Sequence, residues 1–343
     1  MEVFFVDVGL GSCQVILLGD RRAIVLDCGV RSDHIALQFL LKNGVETIER
    51  LVTSHSDNDH TGGAISILNH YASNIEKICV IQDHKLLNTP YWKRLCALRE
   101  ESLIPDGRIV PPIMYDNNPK LIWKDPSTGA KLLCVSPTYE ENLDAQDDGD
   151  SNATSAVLIL EHLDKRIVFA ADSVIPQWRE IFERRGNKTL DCDVLAVPHH
   201  GGHMDDNSDD LEWLYQQAIN CEVAILSVGT VKKPKHPRSE VVAELRKIGA
   251  AVLCTEITKK CHFDPSQLRP GVLKPQTNLG RAMNAPSQQG VACAGTVKVE
   301  IKVDSCEVER LNQHQNEIDK LALASVCGIC PLCRVDSVVP DVA

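Results

Sequence analysis

The chain has 343 residues, enough for about two domains of ordinary size. Its 43% hydrophobic and 24% charged residues fit a folded globular protein and exclude one that is disordered, collagen-like or coiled-coil throughout. A net charge of −11, from 36 basic and 47 acidic residues, excludes a broadly basic coat for duplex DNA, so nucleic acid must be met by a local basic patch.

The opening MEVFFVDVGLG has no basic segment and carries Asp7 inside its first apolar stretch. No secretory signal and a cytoplasmic location are therefore expected. No apolar run approaches the ~18 residues of a membrane span, so no membrane contact is expected. The 14 cysteines are then expected as thiols or metal ligands rather than disulfides.

In chain order, apolar segments predict strands at 3–8, 13–18 and 23–27, with a turn from Asp20. Helical spacing over 33–43 ends at Gly44, a residue suited to a C-cap. A strand at 51–54 runs into HSDNDHTGG (55–63), followed by a helix at 64–71 and a strand at 78–82. From 84 to 126 prolines at 90, 105, 111, 112, 119 and 126 break the pattern; a strand is predicted at 131–135, and the acidic DAQDDGDSN (144–152) reads as a loop. A hairpin pairs 155–160 with 166–170. Helices at 175–185, 210–218 and 238–248 then alternate with strands at 193–197, 222–228 and 251–255. Both halves mix strands and helices, which predicts an α/β fold of two related parts. Residues 262–292 are rich in Pro, Gln and Asn, and a strand (295–303), a helix (310–324) and a cysteine cluster follow. This divides the chain into a catalytic body, 1–256, and a small C-terminal extension, 257–343, for metal binding or interaction.

The densest chemical signal is His55-Ser56-Asp57-Asn58-Asp59-His60, directly after a predicted strand. Four metal-capable side chains fall within six residues, and a loop bending back at a strand end can point them into one cavity. His55 and Asp57 can serve one ion, and Asp59 and His60 a second. Asp27 (LDCG), Asp172 (FAADS) and His199-His200 (LAVPHHGG) also end apolar runs, where α/β sheets place their sites.

The set DVGLGS (7–12), HSDNDHTGG (55–63), NATS (152–155), AD (171–172), HHGG (199–202) and HP (236–237) resembles the metallo-β-lactamase superfamily. Within it, the set is most similar to the hydrolase domain of the bacterial competence protein ComEC and its stand-alone soluble relatives. The resemblance covers about residues 3–256. It implies a four-layered αββα sandwich with two divalent metal ions at one edge. It places His55 and Asp57 on the first ion, Asp59, His60 and His199 on the second, and Asp172 between them. Asp27 would orient the ligand loop, His200 is the alternative to His199, and Asn152 would line the first site. Asp57 stands where most of the superfamily has His, and the usual third ligand of the first site has no clear match. The more oxygen-rich site admits Mn²⁺ or Mg²⁺ beside Zn²⁺.

Asp59, Asp172 and His236 are the candidate catalytic residues, His236 as general acid toward a leaving oxygen. It lies in VKKPKHPR (231–238), where Lys232, Lys233 and Lys235 are the candidates for meeting substrate phosphate. The same run also reads as a solvated loop. Resemblance implies a nuclease acting on DNA, in particular single-stranded DNA, with nucleic acid as substrate. A phosphomonoester or phosphorylcholine-type esterase would use the same site. A catalytically idle binding subunit of a larger assembly is the alternative outside enzymes, and a regulatory protein partner is a further expectation. Cys327, Cys330 and Cys333 have spacing suited to a structural zinc, with Cys261 a candidate fourth ligand; free thiols are the other reading.

Overall fold

The computed structural model describes residues 1–30, 34–204, 207–230, 236–262 and 290–324, and of 320–324 the backbone alone. Two sheets form the centre. The first contains β1 (Glu2–Phe5), β2 (Gln14–Gly19), β3 (Arg22–Leu26), β4 (Thr47–Thr53), β5 (Ile75–Val80) and β6 (Ile109–Val110). The second contains β7 (Lys120–Lys124), β8 (Lys131–Ser136), β9 (Val157–His162), β10 (Lys165–Phe169), β11 (Leu190–Ala196), β12 (Ile219–Leu226) and β13 (Ala251–Cys254). Late in the chain, β14 (Val297–Ile301) and β15 (Cys306–Val308) join the first sheet, giving the order β15-β14-β1-β2-β3-β4-β5-β6. The second sheet runs β13-β12-β11-β10-β9-β8-β7.

Alternation along each strand makes the layers, because successive side chains face opposite sides of a sheet. Val3, Phe5, Ile24 and Leu26 face inward and meet Leu158, Leu160, Ile167 and Phe169 of the other sheet in a shared core. Phe4, Val6, Ala23 and Val25 face outward, under α1 (Ile35–Lys42), α3 (Ala64–Tyr71) and α4 (Pro90–Glu100). On the other side Val157, Ile159, Val168 and Leu195 pack beneath α6 (Ile175–Arg184), α7 (Ser208–Trp213) and α8 (Ser239–Lys247). These are the four αββα layers that the sequence motifs implied.

In the first sheet β3, β4 and β5 run parallel, and in the second β10 to β13 do. Parallel neighbours end on the same side, so the segments after β3, β4, β10 and β11 gather along one edge of the sandwich. The short α2 (Asn58–Thr61) turns the chain there, between β4 and α3.

The structure differs from the sequence reading in two places. The stretch 84–150 is more regular than its prolines suggest. Pro90 is the first residue of α4, where no amide hydrogen is needed, and Thr89 Oγ1 caps the helix by accepting from Trp92 N. Helix α5 (Tyr139–Asp147) starts at a capping box of Thr138 and Glu141 and takes in the first part of the acidic run. The second difference is the boundary at 256. β14 pairs antiparallel with β1 in register Glu2↔Glu300, and Ala294, Val297, Val299 and Ile301 are buried in the shared core. Residues 290–308 therefore belong to the body, because β1 would otherwise present an unpaired edge and an open apolar face. Helix α9 (Leu311–Ala324) follows, while Cys327, Cys330 and Cys333 lie outside the described residues.

Ile301→Ala should lower stability by about 2–4 kcal/mol in urea unfolding, the range for an aliphatic core truncation. A loss below about 0.5 kcal/mol would place 290–308 outside the cooperative body.

Candidate metal centre

Three imidazoles converge at the shared edge, each tied down through Nδ1. His200 Nδ1 lies 2.8 Å from Ser227 O, and a carbonyl can only accept, so Nδ1 carries the proton. His60 Nδ1 donates to Asp27 Oδ2 at 2.7 Å. Ser54 Oγ donates its single hydrogen to Asp27 Oδ2, so it receives the His55 Nδ1 proton at 3.0 Å; Ser155 Oγ lies on the same nitrogen at 3.3 Å. His55 and His200 thereby present a bare Nε2 lone pair, and His60 presents one once its Nε2 gives up a proton to an incoming cation. All three Nε2 atoms are buried without a hydrogen-bond partner, as is Asp172 Oδ1. His60 Nε2 and His200 Nε2 stand 3.1 and 3.3 Å from that oxygen, and Asp59 Oδ2 is 3.8 Å from His200 Nε2. Ligand atoms of His55, His60 and Asp172 lie within 4.8 Å of one another, and so do those of Asp59, His60 and His200.

Local backbone conformation aims these groups. Asp27, Ala171, His199 and His200 all have positive φ, from 48° to 55°, which β-carbons disfavour. Each stands just past a strand end, where the chain must turn sharply to expose a side chain at the sheet edge. Gly11 meets a different constraint: a Cβ there would fall 1.9 Å from Asp59 O, and Ser12 N donates to that same carbonyl. Only glycine lets the 7–12 segment press against the ligand loop.

The electrostatics suit a cation. Burial opposes the imidazolium form of His60, but the Asp172 and Asp27 carboxylates outweigh it and hold its pKa well above the ordinary 6.5. Burial likewise opposes ionisation of Asp172, yet His60 and His200 outweigh it and hold its pKa well below the usual carboxylate range. His55 is kept neutral by burial, reinforced by His60. In the metal-free protein a proton thus occupies the place a cation would take. The donor set of imidazole nitrogens and carboxylate oxygens fits Zn²⁺ or Mn²⁺.

Other predicted residues lie around this cluster. Asp57 is in neither convergent set, and its Oδ1 is held by Lys85 Nζ at 2.6 Å. His199 Nε2 is 3.7 Å from Asp172 Oδ2, on the far side of that carboxylate from His60, and His199 is absent from both convergent sets. The geometry therefore favours His200 over His199. Asn152 sits in a 3-10 turn between Ser151, which donates to Asp57, and Ser155, which reaches His55; its Oδ1 is buried without a hydrogen-bond partner. His236 lies 6.2 Å from the His200 ring and 5.7 Å from that of His199. Burial, then His200 and His199, push its pKa down to about 4. Lys232, Lys233 and Lys235 lie outside the described residues. Cys261 is buried in the outer core of the second sheet.

Sequence reasoning passed over Ser54, Ser155 and Ser227, which orient the imidazoles, and Asp83 and Lys85. The last two follow β5, the third parallel strand of the first sheet, and the shared-edge rule that marked Asp27 and Asp172 applies to them equally.

The two sheets under flanking helices match a metallo-β-lactamase fold, and residues 7–119 match the family model described as the metallo-beta-lactamase superfamily. Folds of this class are generally built for metal-dependent hydrolysis. Among individual proteins, the chain is 26% identical over 263 residues to Recombination protein 2 of Haemophilus influenzae, covering 75% of this chain and 28% of that protein. It is 25% identical over 273 residues to ComE operon protein 3 of Bacillus subtilis, covering 74% and 32%. The chain thus spans about a third or less of the length of the curated relatives it matches. Solved structures similar to it include the metallo-beta-lactamase fold protein YhfI of Bacillus subtilis, with TM-score 0.43, 13% identity and coverage of 74% of this chain and 96% of that one. The short form of human tRNase Z gives 0.39, 12%, 76% and 93%. Among the described residues, no helix is long and apolar enough to cross a membrane.

Binding of Zn²⁺ or Mn²⁺ to the metal-free protein should release protons and tighten as pH rises above 6.5 toward the raised pKa of His60. Titration calorimetry in buffers of different ionisation enthalpy reads this directly. Asp27→Asn should weaken metal binding by about 10–100-fold through loss of its hold on His60 and Ser54.

Proposed function

We propose that the protein is a metal-dependent phosphodiesterase that acts on DNA, with single-stranded DNA the favoured form. The observation that carries the metal-dependent part is the set of buried, unpartnered Nε2 atoms of His55, His60 and His200 around Asp172. An unsatisfied buried polar atom costs about 1–3 kcal/mol, so several together are retained only where something fills the space between them. A role confined to protein binding leaves that cost without compensation. The phosphodiester and DNA parts rest on the motif set shared with competence proteins and on a relative whose name concerns recombination.

The chemistry a divalent ion supplies in such a place is Lewis-acid polarisation of a phosphoryl oxygen and acidification of water toward a pKa of about 7. The chain's own groups do the rest. His60 and His200, held by Asp27 and Ser227 O, fix two nitrogen donors, and Asp59 and Asp172 fix the negative charge between them. His55 lies beside His60, and Asn152 belongs to the 3-10 turn just before Ser155, which reaches His55 Nδ1. Cε1 and Nδ1 of His236 lie against Gly202, where a Cβ would come within 2.2 and 2.5 Å of them, so Nε2 is the nitrogen that can meet a substrate. With its pKa near 4 the ring is neutral before substrate arrives. General-acid action requires the docked anionic phosphodiester to raise that pKa, so that His236 gains a proton and delivers it from Nε2 to the leaving oxygen.

A screen of Zn²⁺, Mn²⁺ and Mg²⁺ against single-stranded DNA, duplex DNA, RNA, a phosphomonoester and bis-p-nitrophenyl phosphate tests the reading. Cleavage of the monoester alone would replace it. Asp172→Ala should abolish turnover with the fold retained. His236→Gln should slow DNA cleavage by about 10²–10⁴-fold and spare bis-p-nitrophenyl phosphate, whose leaving group needs no proton. Equal losses on both substrates would remove the general-acid role.

A further inference from the structure

The turn after β5 places a lysine ammonium where the motif set assigns a metal ligand. Asp83 is buried and accepts from Ser56 N, Ser56 Oγ and the amides of Lys85 and Leu86. One carboxylate therefore clamps the 83–86 turn to the 55–57 segment. The clamp carries Lys85 Nζ to within 2.6 Å of Asp57 Oδ1 and 2.6 Å of Ser151 Oγ, while Ser151 Oγ donates to the same Asp57 oxygen at 3.1 Å. Two donors from two different loops thus occupy one carboxylate oxygen.

A second, independent observation concerns His60. His60 appears in both convergent sets, with His55 and Asp172 and with Asp59 and His200, and with Nδ1 held by Asp27 its Nε2 is the nitrogen left to ligate. One lone pair can ligate one ion. If His60 serves the ion at Asp59 and His200, with Asp172 Oδ1 3.3 Å from His200 Nε2, the His55 side is left with His55 and a share of Asp172. Its remaining expected ligand, Asp57, is the one that Lys85 holds.

We propose that the centre binds a single divalent ion tightly, at Asp59, His60, Asp172 and His200, and that the Lys85 ammonium takes the place of a second ion beside Asp57. Lys85 then serves as the fixed positive charge that meets an anionic phosphoryl group on the His55 side. The latter role rests on the phosphodiesterase reading. Lysine differs from a metal ion in this place: it is permanently present, needs no loading, and binds phosphate as a point charge.

Metal content per chain, measured after equilibration with Zn²⁺ or Mn²⁺ and gel filtration, tests the assignment without turnover. The wild type should retain one ion. Lys85→Met, which keeps the length of the side chain and removes the charge, should free Asp57 and retain two. Lys85→Arg, which keeps the charge, should retain one and serves as the folding control. Inorganic phosphate should bind Lys85→Met about tenfold more weakly than wild type at equal metal occupancy. Two ions in the wild type, or one in a folded Lys85→Met, overturns the single-ion assignment; unchanged phosphate affinity overturns the role toward the anion. Because ion counting needs no substrate, a protein that passes it yet cleaves no phosphodiester would sink the proposed activity alone.

Discussion

Inside this protein, the Nε2 atoms of His60 and His200 face an ionised carboxylate at about 3 Å. That arrangement is unfavourable unless a positive charge sits among them, and the surrounding structure is organised to maintain it. Asp27 takes the protons of His60 and Ser54, Ser54 takes that of His55, and Ser227 O takes that of His200. One buried carboxylate thereby fixes the tautomers of two rings from two ends of the same loop. The raised pKa of His60 and the depressed pKa of Asp172 are two faces of this arrangement, since each group stabilises the charge of the other.

The sandwich sustains the geometry by dividing the labour between its sheets. The first supplies Asp27 and the 55–60 loop, and the second supplies Asp172 and His200. Four non-glycine residues at positive φ stand at these junctions, each a local strain of about 1–3 kcal/mol. The shared apolar core between the sheets offsets such strain. Ala156 N donates to Ser54 O across the edge, joining the two sheets where the ligands meet.

Much of this was legible in the sequence, for a physical reason. Ligands at strand ends appear as polar residues abruptly terminating apolar runs, so Asp27, His55 to His60, Asp172 and the His199-His200 pair stood out. Adjacent histidines with consecutive left-handed backbones could not be told apart, because their side-chain directions depend on φ values that periodicity does not encode. Lys85 and Asp83 were passed over because a charged residue after a strand looks like ordinary solvated surface until its partner, 27 or 28 residues away, is known. Helix α4 was hidden by a proline that in fact begins it, and α5 by an acidic run whose first part its last turn takes in. The membership of β14 in the first sheet was invisible because its pairing with β1 is about as non-local as the chain allows.

That pairing bears on the order in which the molecule can mature. Met1 bonds to Ile301 across 300 residues of sequence, and Asp7 N, at the head of the glycine segment pressed against Asp59, donates to Thr296 Oγ1. During synthesis the ribosome delivers β1 about 300 residues before its neighbour β14. The inward faces of Val3 and Phe5 stay incompletely covered until then, and the segment that buttresses the ligand loop lacks its anchor. A nascent chain therefore lacks this anchor for the ligand loop until the segment carrying Thr296 and β14 has also left the ribosome.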